Sequence, residues 1–246
     1  MKRQLFIASS LASLGLAGCG PVKESLTNGP FRNVLLSTEH LNNAVIGTRG
    51  LAREYKDADV DRNFRVNGLD TPSDATYASL AAGGFRDYRL VVDGLVEHPQ
   101  KLSLAELRAA GDKTQITRHD CVEGWSAIGK WQGPMLGNVL KAAGVRSTAR
   151  YIVFTCADLY SNAPYYESID MVDAFHPQTI LAWAMNDQRL SVGHGAPVRL
   201  RVERQLGYKN AKYVIKADAV ASLDGIGGGQ GGYWEDAVGY DWYAGI

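Results

Sequence analysis

The most restrictive feature of this sequence is an excess of strand-like over helix-like segments, in no regular alternation. Six segments have the apolar periodicity or the β-branched content that strands favour. They are residues 88–96, 115–119, 151–155, 180–185, 198–202 and 212–217. Because a doubly wound α/β fold requires strands and helices in strict alternation, the pattern predicts a mixed, strand-rich α+β architecture.

Two helices are predicted from the signals at their ends. Ser103 and Glu106 have the spacing of a capping box, so a short helix is expected there and is expected to close at Gly111. Pro134 is expected to begin the second helix, since proline suits a first helical turn, and Gly144 is expected just past its end.

The N-terminus is typical of an export signal. Lys2 and Arg3 precede an apolar stretch that is too short to span a bilayer, and the stretch ends at Cys19. The four residues 16–19 resemble a bacterial lipoprotein cleavage box, in which the cysteine receives lipid. An ordinary secretory signal is the alternative. The basic pair also resembles a twin-arginine signal, with Lys2 replacing the first arginine.

These observations divide the chain into three parts. Residues 1–19 are predicted to be the signal, residues 20–60 a tether and extended arm, and residues 61–246 the folded domain. A periplasmic location follows, with a possible lipid anchor at Cys19. Lysine plus arginine equal aspartate plus glutamate at 26 each, so the net charge of zero predicts no nucleic-acid partner.

Cysteine is sparse, and two of the three thiols admit conflicting interpretations. If Cys19 carries lipid, Cys121 and Cys156 remain in an oxidising compartment, where a structural disulfide is the ordinary expectation. A metal-bound Cys121 excludes that disulfide. His119 and Cys121 could also be two zinc ligands, but the sequence offers no second pair at finger spacing.

Positive charge is concentrated late in the chain. Residues 198–216 hold six basic residues and a single acid, Glu203. In the predicted strand, Arg199 and Arg201 point to the same face, where guanidinium groups suit a phosphate, and Lys209 and Lys212 could add charge. A solvated basic edge is the alternative.

Two familiar motifs are incomplete. Gly227, Gly229 and Gly232 match a dinucleotide-binding pattern, but too little chain follows them, so a flexible approach to the aromatic tail is expected. The segment around Ser126 lacks the final glycine of a nucleophile elbow, which argues against a serine hydrolase.

Three segments resemble the sulfite oxidase family of molybdopterin-dependent oxidoreductases. They are Arg118–Ser126 with Trp131–Gly133, His194–Arg199, and Gly207–Lys212. The likeness covers roughly residues 60–246 and is nearest to bacterial single-domain members, related to the catalytic subunit of periplasmic methionine sulfoxide reductase. It implies the sulfite-oxidase-type molybdopterin-binding fold.

The resemblance also assigns residue roles. It implies one molybdenum ion held by the Cys121 thiolate and by one pterin dithiolene, and thiolate is a ligand that suits a redox-active metal. Glu123 and Asp158 are candidate catalytic residues that carry protons or contact substrate. The residues assigned to the cofactor, besides Cys121, are Asn63, Arg65, Thr155, His194, Arg199, Asn210, Ala211 and Lys212.

The implied reaction is two-electron oxygen-atom transfer on a small substrate such as a sulfoxide, an N-oxide or sulfite. The sequence has no C-x-x-C-H haem motif, so a separate redox partner is expected, either a membrane haem protein or a soluble cytochrome. The alternative from another class is a cofactor-free, anion-binding periplasmic lipoprotein with a Cys121–Cys156 disulfide.

Overall fold

The computed structural model of the protein describes residues 50–161 and 163–246. The predicted signal, Cys19 and most of the predicted tether lie outside this part. The strands are β1 Leu90–Gly94, β2 Gln100–Leu102, β3 Asp112–Asp120, β4 Ser126–Pro134, β5 Tyr151–Tyr160, β6 Ala163–Asp170, β7 Ile180–Ala182, β8 Ala184–Met185, β9 Gln188–Arg189, β10 Arg199–Arg201 and β11 Val214–Val220. The α-helices are α1 Ala75–Ala82, α2 Leu104–Ala109, α3 Leu136–Ala143, α4 Met171–Ala174 and α5 Tyr233–Val238.

The larger sheet has the order β2-β1-β11-β5-β6. Strand β1 pairs in parallel with β11, and the other neighbours pair antiparallel. Its inner face carries Ile152 and Phe154, which are fully buried in the main core together with Leu136 and Leu140 of α3. Burying side chains of this size contributes about 1.5–3 kcal/mol each. Helix α3 therefore belongs to the same core as this sheet.

The smaller sheet has the order β3-β4-β8-β9 and is built on a long hairpin. Strands β3 and β4 pair from Asp112 opposite Pro134 to Asp120 opposite Ser126. Strands β7 and β10 form a separate antiparallel pair. Gly133 lies against β7, where an added Cβ would come within 2.1 Å of the Leu181 carbonyl oxygen. The absent side chain permits β7 to pack closely on β4.

The predicted α+β class is confirmed, and several elements differ from expectation. The capping box at Ser103 forms, and Gly144 ends α3 in the left-handed conformation. The prediction that Pro134 begins a helix is wrong, because Pro134 completes β4 and the helix begins at Leu136 with Met135 as its N-cap. Strands β2, β4, β6 and β9 and helices α1, α4 and α5 were not predicted.

The compact unit begins at Leu51, before the predicted domain start at residue 61. Glu54 forms an isolated antiparallel bridge with Thr117 of β3, and the Tyr55 amide donates to the Ile116 carbonyl at 2.9 Å. The end of the arm thus adds backbone hydrogen bonds to the hairpin. Across residues 50–161 and 163–246, no helix is both long and apolar enough to cross a membrane.

Candidate active site

The tip of the β3–β4 hairpin presents Cys121. The Cys121 amide donates to the Trp125 carbonyl at 2.9 Å, and the Gly124 amide donates to the Cys121 carbonyl at 3.0 Å. Gly124 has a φ of 86°, a left-handed conformation that glycine adopts without strain. This tight turn leaves Cys121 half-buried, and burial raises the pKa of its thiol. A rigid hairpin therefore holds the thiol at a fixed position.

Cys121 opens onto a cavity of about 180 Å³. The cavity walls come from the segment between the arm and α1, the hairpin tip, the end of β5, the segment before β11 and the C-terminal region. The lining residues are Asn67, Gly68, Cys121, Val122, Glu123, Asp158, Tyr160, Tyr165, Gly207, Tyr208, Asn210, Ala211, Lys212, Trp234 and Tyr240. Six of the predicted site residues are brought together here, namely Cys121, Glu123, Asp158, Asn210, Ala211 and Lys212.

Arg199 and Arg201 lie beneath this region, on strand β10. Both are fully buried and lie against the Trp131 ring, with their guanidinium carbons 5.0 and 4.3 Å from its centroid. The alternative of a solvated basic edge is therefore wrong. Arg201 is neutralised by both carboxylate oxygens of Glu203. The two arginines share a face, as predicted, but only one of them has an acidic partner.

Arg199 has no carboxylate partner within the described residues. Its Nη atoms donate to the carbonyls of His194, at 3.1 Å, and Asn210, at 3.3 Å, while its buried Nε has no partner. Burial, reinforced by Arg201, lowers the pKa of Arg199 to about 9. A buried cation of this kind is costly unless an anion compensates it.

Lys212 is a second buried cation on the cavity wall. Its ammonium donates to the carbonyls of Leu69 and Gly193, the latter at 2.8 Å. Burial, together with repulsion from Arg199, lowers the pKa of Lys212 to about 7. No ion pair of Lys212 is found in the part of the chain that the structure describes. Lys212 and Arg199 together make this end of the cavity suited to an anion.

Asn210 and Ala211 contribute to the wall mainly through the backbone. The Asn210 side chain accepts a hydrogen bond from the Val202 amide at 2.7 Å and donates to the Gln205 and Leu206 carbonyls. The Ala211 carbonyl accepts from the Leu200 amide. Asn210 thus fixes the shape of the segment that carries Lys212.

Asp158 and Glu123 are the two acidic residues of the cavity, and they differ in environment. Asp158 is buried, its Oδ1 has no partner, and burial raises its pKa to about 7. Glu123 is half-exposed, accepts from the Trp125 indole nitrogen at 2.9 Å and lies 3.8 Å from Arg65. Asp158 can therefore hold a proton at neutral pH, whereas Glu123 helps to order the hairpin tip.

Five predicted cofactor residues lie outside the cavity lining, and one of them is the buried Arg199 described above. Asn63 is exposed, and its backbone amide donates to the side-chain carboxylate of Asp61. Arg65 lies over the Trp125 ring at 5.3 Å. His194 is half-buried, and its two ring nitrogens contact the Ser191 hydroxyl and the Phe64 carbonyl. Its own carbonyl oxygen accepts a hydrogen bond from Arg199. Thr155 is separated from Cys121, because it lines a second cavity on the other face of the large sheet. From the segment between the arm and α1, it is Asn67 and Gly68 that reach the site.

Lys209 does not contribute to the anion site, contrary to expectation. Its ammonium is fully buried in an ion pair with Glu167 and another with Glu235, at 2.7 Å from the latter. Both carboxylates come from distant parts of the sequence, so the motif gave no sign of them. Lys209 therefore ties β6 to α5.

The glycine-rich segment before α5 is organised around one carboxylate. The Gly228 and Gln230 amides donate to Asp236 at 2.8 and 2.9 Å. Helix α5 then places Trp234 on the cavity wall, and Tyr240 follows just beyond it. The aromatic tail was recognisable in the sequence, but its place in the site was not, since nothing local connects residues 234–240 with Cys121.

The disulfide of the alternative interpretation is not present, because Cys121 and Cys156 are both free. Cys156 is buried in the main core, on the inner face of β5. Its thiol contributes no surface to the cavity. Cys121 therefore remains available as a ligand. Among the described residues, no three His, Cys, Asp or Glu side chains cluster as a metal site would require.

The family model named "Oxidoreductase molybdopterin binding domain" matches residues 78–222 of this chain. That range covers more than half of the sequence and includes the hairpin tip with Cys121 and the segment with Lys212. The chain belongs to this family of sulfite-oxidase-type molybdopterin oxidoreductases.

Two relatives span most of this oxidoreductase. A protein of Azospira oryzae, provisionally named protein-methionine-sulfoxide reductase subunit YedZ1, is 36% identical over 250 residues, covering 99% of this chain and 87% of that protein. The protein-methionine-sulfoxide reductase catalytic subunit MsrP of Xanthomonas axonopodis pv. citri is 31% identical over 239 residues, covering 90% of this chain and 70% of MsrP. The predicted family and the oxidoreductase class are confirmed.

A solved structure supports the fold alone. The sulfane dehydrogenase SoxCD from Paracoccus pantotrophus superposes with a TM-score of 0.52 at 24% identity. The likeness covers 56% of this chain and 39% of the SoxCD chain. The predicted sulfite-oxidase-type fold is therefore confirmed.

The family implies a molybdenum–pterin cofactor, and the residues of this oxidoreductase fit such a group. A half-buried thiol lies on the wall of the cavity. Arg199 and Lys212 are buried cations that have no carboxylate partner among residues 50–161 and 163–246, and a phosphate-bearing ligand would compensate them. A soft ligand for the metal and a cationic site for the phosphate are thus both present.

Proposed function

We propose that this oxidoreductase reduces a small neutral sulfoxide in the periplasm, with one molybdenum ion held by Cys121 and by one pterin dithiolene. The observation that carries the proposal is that a single cavity is lined by both Cys121 and the buried Lys212. Metal ligation and phosphate binding by one small ligand need both groups within its reach.

Bound in this cavity, the cofactor supplies a metal that changes oxidation state by two and exchanges an oxygen atom. The residues of the protein hold the cofactor in place. Cys121 ligates the metal as a thiolate, and Lys212 and Arg199 compensate the phosphate, with the backbone of Asn210 and Ala211 beside it. A phosphate next to Lys212 raises the pKa of its amine, so Lys212 is fully charged in the holoenzyme.

The mouth of the cavity favours a neutral substrate over sulfite. Its exposed acid, Glu123, opposes an oxyanion, and the cations of the site are committed to the phosphate. The remaining wall is aromatic, with Tyr160 and Trp234 in edge-to-face contact at 5.4 Å and Tyr240 37% exposed. Aromatic edges suit the polarizable sulfur and apolar substituents of a dialkyl sulfoxide. The names of the two relatives point to the same chemical class.

Reduction of a sulfoxide consumes two protons and two electrons and releases a sulfide and water. Asp158 is the buried group at the site that can carry a proton near pH 7. Electrons come from a separate haem protein, either in the membrane or a soluble cytochrome. The export signal and a lipid on Cys19 would place the enzyme next to such a partner.

Metal analysis of protein from cells with full cofactor supply tests the ligand assignment. The wild-type chain is expected to contain about one molybdenum, and Cys121→Ser is expected to lose most of it. Cys156→Ala is the matched control, because this second thiol lies in the core away from the cavity. Equal molybdenum content in wild type and Cys121→Ser would overturn the proposal.

A substrate panel with an artificial electron donor tests the substrate class. Dialkyl sulfoxides, an N-oxide and sulfite, the last with an electron acceptor, are compared by kcat/KM. A sulfoxide is expected to be turned over at least tenfold more efficiently than sulfite is oxidised. Preference for sulfite would contradict the argument from the acidic and aromatic mouth.

A further inference from the structure

Tyr160 ends β5, and its half-buried side chain lines the active-site cavity. Its ring is held by three aromatic neighbours, with centroid distances of 4.9 Å to Tyr233, 5.4 Å to Trp234 and 5.7 Å to Tyr165. These contacts fix the ring and therefore the position of its hydroxyl group. In the proposed function the ring belongs to the aromatic wall, and the hydroxyl group has no role.

The hydroxyl oxygen lies beside the backbone of Gly68 and Leu69. An ideal Cβ added at Gly68 would be 3.4 Å from this oxygen. Burial, reinforced by Asp158, raises the pKa of the Tyr160 phenol to about 12, while a hydrogen bond from the Leu69 backbone opposes the shift. The oxygen therefore accepts from the Leu69 amide, and the phenol keeps its proton at neutral pH.

That proton has no acceptor among residues 50–161 and 163–246. A phenol O–H without a protein partner donates to water or to a ligand. Because Tyr160 is only half-buried and lines the cavity, a molecule bound there can reach its hydroxyl group. Tyr160 thus presents a neutral donor to the cavity.

One backbone residue places Lys212 next to this donor. The Lys212 ammonium donates to the Leu69 carbonyl, and the Tyr160 oxygen accepts from the Leu69 amide. The amide nitrogen and the carbonyl oxygen of one residue lie within about 4 Å of each other, because covalent geometry fixes them. The phenol and the ammonium group therefore converge on Leu69, and both side chains line the same cavity.

Lys212 alone cannot satisfy a phosphate group. Two of its three N–H donors serve the carbonyls of Leu69 and Gly193, so at most one remains for a ligand. A terminal phosphate group has three strong acceptor oxygens and therefore requires further donors. A neutral hydroxyl group suits this task, since a third cation would add to the repulsion between Lys212 and Arg199.

We infer that Tyr160 is a cofactor-binding residue whose hydroxyl group donates a hydrogen bond to the phosphate of the pterin, beside Lys212. The inference rests on the proposed function, since it requires that group to be bound. It adds a neutral donor to a phosphate site whose other side-chain contributions are cationic.

Tyr160→Phe tests the inference, because it removes one oxygen atom and keeps the ring that packs on Trp234. The molybdenum and pterin released from purified holoenzyme are measured over time. Release from Tyr160→Phe is expected to be about tenfold faster than from wild type, since a charge-assisted hydrogen bond is lost. Tyr151→Phe is the matched control and is expected to release cofactor at the wild-type rate. Tyr151 begins the same strand, packs on Trp242 and does not line the cavity.

Two further measurements separate a phosphate contact from a structural role. The ³¹P NMR signal of the oxidised holoenzyme is expected to shift in Tyr160→Phe and to stay unchanged in Tyr151→Phe. The urea midpoint of unfolding is expected to be the same for cofactor-free Tyr160→Phe and cofactor-free wild type.

If Tyr160→Phe does not fold, the ¹³Cζ NMR signal of Tyr160 in the wild-type protein provides the test. The contact of the ring with Trp234 assigns this signal. It is expected to differ between protein prepared with and without cofactor supply.

Unchanged cofactor release and an unchanged ³¹P signal in Tyr160→Phe would overturn the inference, as would an unchanged ¹³Cζ signal. A raised KM for the sulfoxide with unchanged release would also overturn it, because the hydroxyl group would then bind substrate. Protein that contains no molybdenum under full supply would instead refute the proposed function, so the two failures are distinguishable.

Discussion

Arg199 and Lys212 are charged side chains buried at a cost that the folded chain does not itself compensate. Each uses its donors on backbone carbonyls, and neither has a carboxylate partner in the described part of the chain. Burial lowers both pKa values, with repulsion from Arg201 added at Arg199 and repulsion from Arg199 added at Lys212. An incoming phosphate would offset these effects.

Asp158 gives the reductase a predicted pH dependence. Burial raises its pKa to about 7, so the carboxyl is protonated below this pH and ionised above it. If it delivers a proton, kcat for sulfoxide reduction falls as pH rises through about 7. Asp158→Asn is expected to lower kcat about 100-fold and to remove this step.

The measurement is kcat between pH 5.5 and 8.5, with equal cofactor content verified in each sample. Asp87→Asn, which changes an exposed carboxylate that does not line the cavity, is the control. A pH profile of Asp158→Asn that coincides with that of the wild type would show that another group carries the proton.

Single residues were predictable where a local motif contained the whole reason for the assignment. Cys121, Asn210 and Lys212 fall on motif positions and are brought to the cavity. Lys209 was misassigned because its partners, Glu167 and Glu235, are distant in sequence. His119 was considered only as a zinc ligand, since its contact with Arg201 forms only when β3 and β10 meet.

At the scale of elements, the packing of β7 on β4 depends on Gly133. A Cβ at this position would lie 2.1 Å from the Leu181 carbonyl oxygen, which is a backbone atom that cannot rotate away. Gly133→Ala is expected to lower the free energy of unfolding by about 2 kcal/mol or more.

Gly83→Ala is the matched control for urea unfolding. Its Cβ would lie 3.5 Å from the nearest atom, the Ser79 carbonyl oxygen, and its φ of −78° suits alanine. A change within about 0.5 kcal/mol is expected there. Equal effects of the two substitutions would show that the contact between β4 and β7 is not close.

The free energy of unfolding is expected to fall as pH rises through the range in which the buried Glu167 ionises. Burial, reinforced by Glu235, raises the pKa of Glu167 from 4.5 to about 8, and Lys209 opposes this shift. In the unfolded chain Glu167 ionises near its ordinary pKa of 4.5, whereas in the fold it keeps its proton up to about pH 8. Stability that the fold has below about pH 4.5 is therefore lost as the pH rises towards 8.

Glu167→Gln cannot ionise, so its free energy of unfolding is expected to vary less between pH 5 and 8 than that of the wild type. Urea unfolding at several pH values measures the difference, and the exposed Glu97→Gln is the control. Equal pH slopes for wild type and Glu167→Gln would contradict a raised pKa in the fold.

Elements with strong local signals were predicted, and elements defined by their partners were not. The capping box at Ser103 and the left-handed Gly144 mark helix ends in the sequence itself. Strand β4 contains Gly129 and Gly133, which weaken any strand signal, yet it pairs along its whole length with β3. Pro134 has no amide hydrogen, and it is accommodated at the end of β4.

At the scale of the whole molecule, the active-site cavity is a junction of separate parts of the chain. It joins the segment before α1 at Asn67, the hairpin tip at Cys121, the end of β5 at Asp158, the turn at Gly207 and the C-terminal region at Trp234. The α+β class follows from the order of strand signals. The contribution of the C-terminal region does not, because the pairing β1-β11-β5-β6 that brings these parts together is non-local.

The central claim is that the Cys121 sulfur is bonded to molybdenum. X-ray absorption at the molybdenum edge of the purified holoenzyme tests it most directly, with Cys121→Ser reconstituted at high cofactor supply as the comparison. The account predicts one sulfur neighbour fewer around the metal in Cys121→Ser, and no change in Cys156→Ala. An unchanged number of sulfur neighbours in Cys121→Ser would contradict it.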